Sequence, residues 1–325
     1  MIKYKGTSPD VQIPDIVNVI GCSAFSHSSI TSVAIPNGVT RIASGAFLSC
    51  KQLSHVTLPD SVLSIEADAF RGCESLVSIS LSNNLKCIER YAFASCKSLN
   101  EIILPDTVTE LGQGAFNNCP SLTHITLSKR LTVISSTTFN FCNSLTSIEI
   151  PPSVKEIKNV AFEHCYSLKR VMLSEGLVKI GEGVFRGCHL LNDIIIPAST
   201  VEIGNRAFAG CKKLSKVKFS GQKPQMGVDP FINTPYASRC YVATCVYGSY
   251  NCPEVWTLRR FRDSYLLKSW GGRLFVRLYY IFSPFIVKWF GGTSLFKTIW
   301  RKWLDKMVAR LNANGYASTP YEDKV

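Results

Sequence analysis

Thirteen cysteines and five histidines are the residues of this 325-residue chain that can supply a nucleophile or a metal ligand. Cys240, Cys245 and Cys252 form C-x4-C-x6-C, a spacing that invites comparison with metal and redox sites. Structural zinc usually takes four ligands, and this part of the chain has no histidine to complete a set. A catalytic thiol there would equally lack a nearby imidazole base. A buried thiol is the preferred reading, with a mixed site, a lipidated cysteine or a cysteine- or metal-dependent activity as alternatives. No catalytic arrangement emerges, and neither a metal nor a cofactor is expected.

Eight other cysteines explain themselves differently. Cys50, Cys73, Cys96, Cys119, Cys142, Cys165, Cys188 and Cys211 recur every 23 residues, each three residues after a phenylalanine. That phenylalanine column begins at Phe25 and Phe47 and ends at Phe208. Three residues beyond each cysteine stands a leucine (Leu53, Leu76 and so on to Leu214), then an Ile or Val, then a further apolar residue two positions on. The last pair has the period of a short strand that directs alternate side chains inward. A single coil of this kind cannot bury its apolar face, whereas stacked coils share a continuous core. The reading is a repeat solenoid of about nine 23-residue coils with short parallel strands. In such a stack the cysteines form an inward column of small, buried thiols. His55 and His124 lie three coils apart, roughly 15 Å at strand spacing, too far to share an ion. His27, His164 and His189 are scattered among other coils.

The pattern LPDSVLSIEADAFRGCESLVSIS resembles the BspA-type leucine-rich repeat, and the resemblance covers about residues 13–219. It implies a leucine-rich-repeat solenoid whose role is binding, often adhesion to proteins or cells. The expected organisation is an N-terminal cap over 1–12, the solenoid over 13–219, a terminal half-repeat and linker over 220–239, and a helical module over 240–325.

Strand positions between the inward residues form the concave face on which such solenoids bind. One column reads His55, Ser78, Glu101, His124, Ser147, Arg170, Asp193, Lys216, and its neighbour Thr57, Ser80, Ile103, Thr126, Glu149, Met172, Ile195, Lys218. No continuous basic stripe runs along it, which disfavours nucleic acid. Ile103, Met172 and Ile195 are suited to anchoring a protein on an otherwise polar sheet.

Residues 240–325 are a different polymer, with 13 basic and 5 acidic residues and all five tryptophans. The C-Y-V-A-T start, the P-E-V-W-T-L-R-R-F-R-D run and the S-P within the apolar segment resemble the CFI-box C-terminal module over roughly 240–321. Three helices are expected: 254–269 after Pro253, 273–290 interrupted or kinked at Pro284, and one from a Thr293 or Ser294 cap to about Asn312. On the last, nine apolar residues from Leu295 to Leu311, Trp300 and Trp303 among them, are expected opposite Lys297, Arg301, Lys302, Lys306 and Arg310.

The expected function is therefore a non-enzymatic protein-binding scaffold positioned by its tail. The alternative is a membrane- or envelope-associated protein whose basic, aromatic tail touches an anionic membrane surface. No stretch of about 18 uncharged apolar residues exists to span a bilayer. The start MIKYKGTSPDVQIP shows basic residues with no apolar segment behind them, so no secretory signal is visible. The expected location is cytoplasmic, free or peripheral at the membrane.

Overall fold

The computed structural model describes residues 4, 6, 8–236, 246–247, 252–291, 293–316, 318 and 319. Two compact units result, Met1–Thr234 and Pro235–Val325.

The first unit is a β-solenoid. Each coil contributes a strand of three or four residues, such as His55–Thr57 or Asp193–Ile196, and a second of two residues, such as Ser64–Ile65 or Glu202–Ile203. Neighbouring coils pair in parallel at the repeat step, with Ser32 opposite His55, His55 opposite Ser78 and Asp193 opposite Lys216. The alternation read from the sequence is seen directly: Val56, Ile79, Ile102 and Ile125 are buried between exposed neighbours. The first rung, Asp10–Gln12, pairs with Ser32–Ala34, and the last short strand, Gln225–Met226, pairs with Glu202–Ile203.

A column of phenylalanine rings runs through the core. From Phe25 to Phe231 successive rings stack with centroids 5.1–5.7 Å apart and planes within 18° of parallel. The widest step, 5.7 Å between Phe116 and Phe139, falls where both ladders also break. Tyr4 packs on Phe25 at one end of the column. Phe231 lies a further 23 residues beyond Phe208 but is followed by neither the cysteine nor the leucine of the repeat, so its rung was hidden in the sequence.

The second unit contains helices Pro253–Ser264, Trp270–Phe290 and Ser294–Ala313, with a 3₁₀ turn at Leu266–Lys268. Val246, Val255, Phe296 and Leu304 form its buried centre, with Tyr279, Val287 and Trp300 packed against it. Thr293 caps the last helix by accepting a hydrogen bond from the Phe296 amide. Gly271 and Gly272 do not break the second helix, which begins at Trp270. Ser269 accepts a hydrogen bond from the Gly272 amide at 2.9 Å, and a Cβ at Gly272 would meet the Leu266 carbonyl oxygen at 2.0 Å. Glycine is what lets that first turn fold back over the 3₁₀ segment. Pro284 lies within the helix.

Candidate functional site

The buried thiols are closed to chemistry. Each of the eight repeat cysteines is fully buried, and its Sγ donates to a phenylalanine carbonyl of the preceding coil, as Cys96 does to Phe70 at 3.2 Å. Cysteine suits this position because it fills little space yet carries a weak donor for that carbonyl. Burial pushes the thiols of Cys119, Cys165 and Cys211 up to about 12, and raises Cys73, Cys96, Cys142 and Cys188 likewise. The eight repeat cysteines are free thiols. Of the C-x4-C-x6-C trio, Cys240 and Cys245 lie outside the described residues. Cys252 is half-buried, and burial together with the hydrogen bond its thiol donates to the Glu254 carboxylate pushes that thiol up to about 11, the opposite of what a nucleophile needs. Among the described residues no group of three His, Cys, Asp or Glu side chains is placed to hold a metal.

The outward face of the longer strands is polar. His55, Thr57, Ser78, Ser80, Glu101, His124, Thr126, Glu149, Arg170, Asp193, Lys216 and Lys218 are all exposed, while Ser147 is half-buried. Three large apolar side chains stand on it: Ile103 at 60%, Met172 at 53% and Ile195 at 57% exposure. Met172 and Ile195 occupy neighbouring coils, whereas Ile103 is three coils away. Asp193 stands opposite Lys216, and Ile195 opposite Lys218, so the apolar pair is bordered by both signs of charge.

A second cluster, outside the columns singled out above, sits just beyond the phenylalanine stack. The Glu163 carboxylate accepts from Asn140 Nδ2 at 3.0 Å and from Arg186, with His164 Nε2 3.3 Å away. His164 stacks on Phe141 at 4.8 Å and leans on Tyr166, which stacks on His189 at 5.0 Å. Burial lowers the His189 pKa, helped by Lys212 and His164. The available signal was the second position after each phenylalanine. The backbone is left-handed there, and most coils use Gly, Ser or Asn, but two adjacent coils carry Phe141 and His164, each at φ 60°.

In the tail the third helix departs from the expected division. Phe296, Leu304, Val308 and Leu311 are buried, but Leu295, Ile299 and Trp303 are exposed beside Lys302, Lys306 and Arg310. The heptad is too rich in large apolar residues for one buried stripe to hold them all. Lys297 is exposed on another side, and Trp300 packs on Phe296 and Trp303. Arg301 is engaged within the unit, donating to the Val246 carbonyl at 3.0 Å with its guanidinium over the Tyr247 ring.

The BspA-type leucine-rich repeat region matches the chain in six copies over residues 4–123 and 109–238. The chain belongs to the BspA-type leucine-rich-repeat family. A leucine-rich repeat protein from Bacteroides ovatus is 32% identical with a TM-score of 0.65, the match covering 69% of this chain and 61% of that one. The pneumococcal vaccine antigen PcpA is 25% identical with a TM-score of 0.51, over 70% of this chain and 60% of its own. This BspA-type chain thus spans about three-fifths of the length of each. No curated protein matches it.

Proposed function

We propose that this BspA-type protein is a non-enzymatic scaffold that binds another protein through its outward strand face, with the C-terminal unit positioning or anchoring it. The observation that carries the reading is the exposed pair Met172 and Ile195, surrounded by Glu149, Arg170, Asp193, Lys216 and Lys218 on strands of adjacent coils whose backbone is fixed by the stack beneath. Apolar anchors within a charged rim are how protein interfaces concentrate binding energy. The mixture of signs suits a protein of complementary pattern better than a polyanion, which calls for a one-signed stripe. Family membership supports the same conclusion, because repeat stacks of this kind offer extended surfaces rather than enclosed pockets.

The test compares affinity capture by wild type with that by a Met172→Asp/Ile195→Asp variant. Both side chains are exposed, so thermal unfolding should be unchanged. Loss of two anchors at roughly 2 kcal/mol each should weaken the partner by at least about a hundredfold. Val201→Asp, exposed just before the short strand Glu202–Ile203 and away from this face, should capture normally. Equal retention of the same partner by the double variant would overturn the reading.

A further inference from the structure

The second tail helix has two apolar faces where one suffices to fold it. Its inward line consists of Val276, Tyr279, Ser283 and Val287, at steps of three or four residues that keep them on one side. Val276 and Ser283 are buried, and Tyr279 and Val287 pack against the unit's centre. Centred about a third of a turn away is a second line: Leu274, Phe275, Leu278, Phe282, Ile286 and Trp289, all exposed. Phe275 stands at 59%, Phe282 at 58% and Trp289 at 77% exposure. At 100° per residue these six fall within an arc of about 120° that extends roughly 22 Å along the helix. Trp270, 74% exposed, stands at the helix start, so a tryptophan lies near each end. The third helix carries an exposed apolar line of its own, Leu295, Ile299 and Trp303, set among Lys302, Lys306 and Arg310.

The geometry points to an anionic phospholipid surface as the occupant of this face. Charge decides between occupants. Residues 270–313 hold eight Lys and Arg against a single acid, Asp305, which already accepts from the Tyr247 hydroxyl at 2.7 Å. A second copy of the chain would bring the same excess of positive charge against itself. Lipid phosphates supply the opposite charge beside an apolar layer, and tryptophan settles at that boundary. No helix among the described residues is long and apolar enough to cross a bilayer, so the helix lies along the surface with its outer line immersed. This inference names what the anchoring half of the proposed function attaches to, and is independent of the strand face.

The experiment is flotation of the full-length protein with vesicles of phosphatidylcholine alone and of phosphatidylcholine mixed with phosphatidylglycerol. Binding should be at least about tenfold stronger to the anionic vesicles and should weaken as salt is raised. A Phe275→Ser/Phe282→Ser/Trp289→Ser variant, altered only at exposed positions, should bind at least about tenfold more weakly with its circular dichroism unchanged. A Lys302→Gln/Lys306→Gln/Arg310→Gln variant should lose the preference for anionic lipid. Protein that stays unbound with both vesicle types overturns the inference, as does an apolar-face variant that floats like wild type. So does a dimer that this variant splits into monomers, which would identify the occupant as a second copy. Partner capture scored on the same preparations separates these failures from failure of the scaffold reading.

Discussion

Each coil turns through two left-handed residues, one two positions before the stacked phenylalanine and one two positions after it. Gly45, Gly114 and Gly183 meet the first requirement without strain, but Thr137 and Val160 occupy it at φ 57° and 52°. A β-branched side chain in that region crowds its own backbone by about 1–2 kcal/mol. Replacing Val160 by Asn, which accepts this conformation, should therefore stabilise the protein by about 1 kcal/mol, read as a higher denaturation midpoint with unchanged slope. Gly187→Ala should act in the reverse direction. Its φ is +76°, and the new methyl would stand 2.7 Å from His164 Nδ1, so a loss of about 1–3 kcal/mol is expected. A neutral Gly187→Ala would mean that the turn relaxes more readily than its packing suggests. The second left-handed position was present in the sequence as a column rich in Gly, Ser and Asn, whereas the first mixes Gly and Asp with Tyr, Thr, Val and Arg. They carried no meaning until the coil path showed which backbone angles each must adopt.

The stacked phenylalanines make each coil's inner layer depend on its neighbours on both sides. Phe139 is fully buried between Phe116 and Phe162, so Phe139→Ala should leave a cavity that neither ring can close and destabilise by about 3–5 kcal/mol. Phe231 stacks on Phe208 in the last coil of the column and is 7% exposed, so Phe231→Ala should cost less and loosen the terminal coil first. Hydrogen exchange resolved along the chain measures both effects, and equal losses at the two sites would contradict a stack that frays from its ends. This layer was legible in the sequence because the Phe, Cys and Leu columns each keep one residue type along the repeats, while the strand columns stay apolar. The outward strand columns were legible for the same reason, since alternation leaves them only one side to face. The second tail helix was not, because nearly every residue from Leu274 to Phe290 is apolar and such a run has no period to say which side turns inward. Its orientation comes from tertiary packing of Tyr279 and Val287 against the unit's buried centre.

Across the whole molecule, the cysteine column couples folding to pH. An unfolded thiol ionises near pH 8.5, whereas burial holds Cys119, Cys165 and Cys211 protonated up to about 12 and raises the others in the column. Between those limits the native state keeps protons that the unfolded state has released, so it binds more of them and its stability falls as pH rises. The contribution is fully present below about pH 8 and is lost progressively toward pH 12. Each thiol should remove roughly 1 kcal/mol per pH unit above its unfolded pKa. Because the coils share one core, the losses along the column combine against a total stability that for an ordinary domain is about 5–15 kcal/mol. The solenoid should therefore unfold cooperatively about one to two units above pH 8.5, as followed by far-ultraviolet circular dichroism. A Cys165→Ala variant isolates the thiols from lysines and tyrosines that titrate in the same range. It should be less stable at neutral pH, because a cavity replaces the sulfur, yet its stability should fall less steeply with pH by about one thiol's share. The two stability curves thus approach each other as alkali is added. Parallel curves for variant and wild type would mean that the cysteine column plays no part in alkaline unfolding.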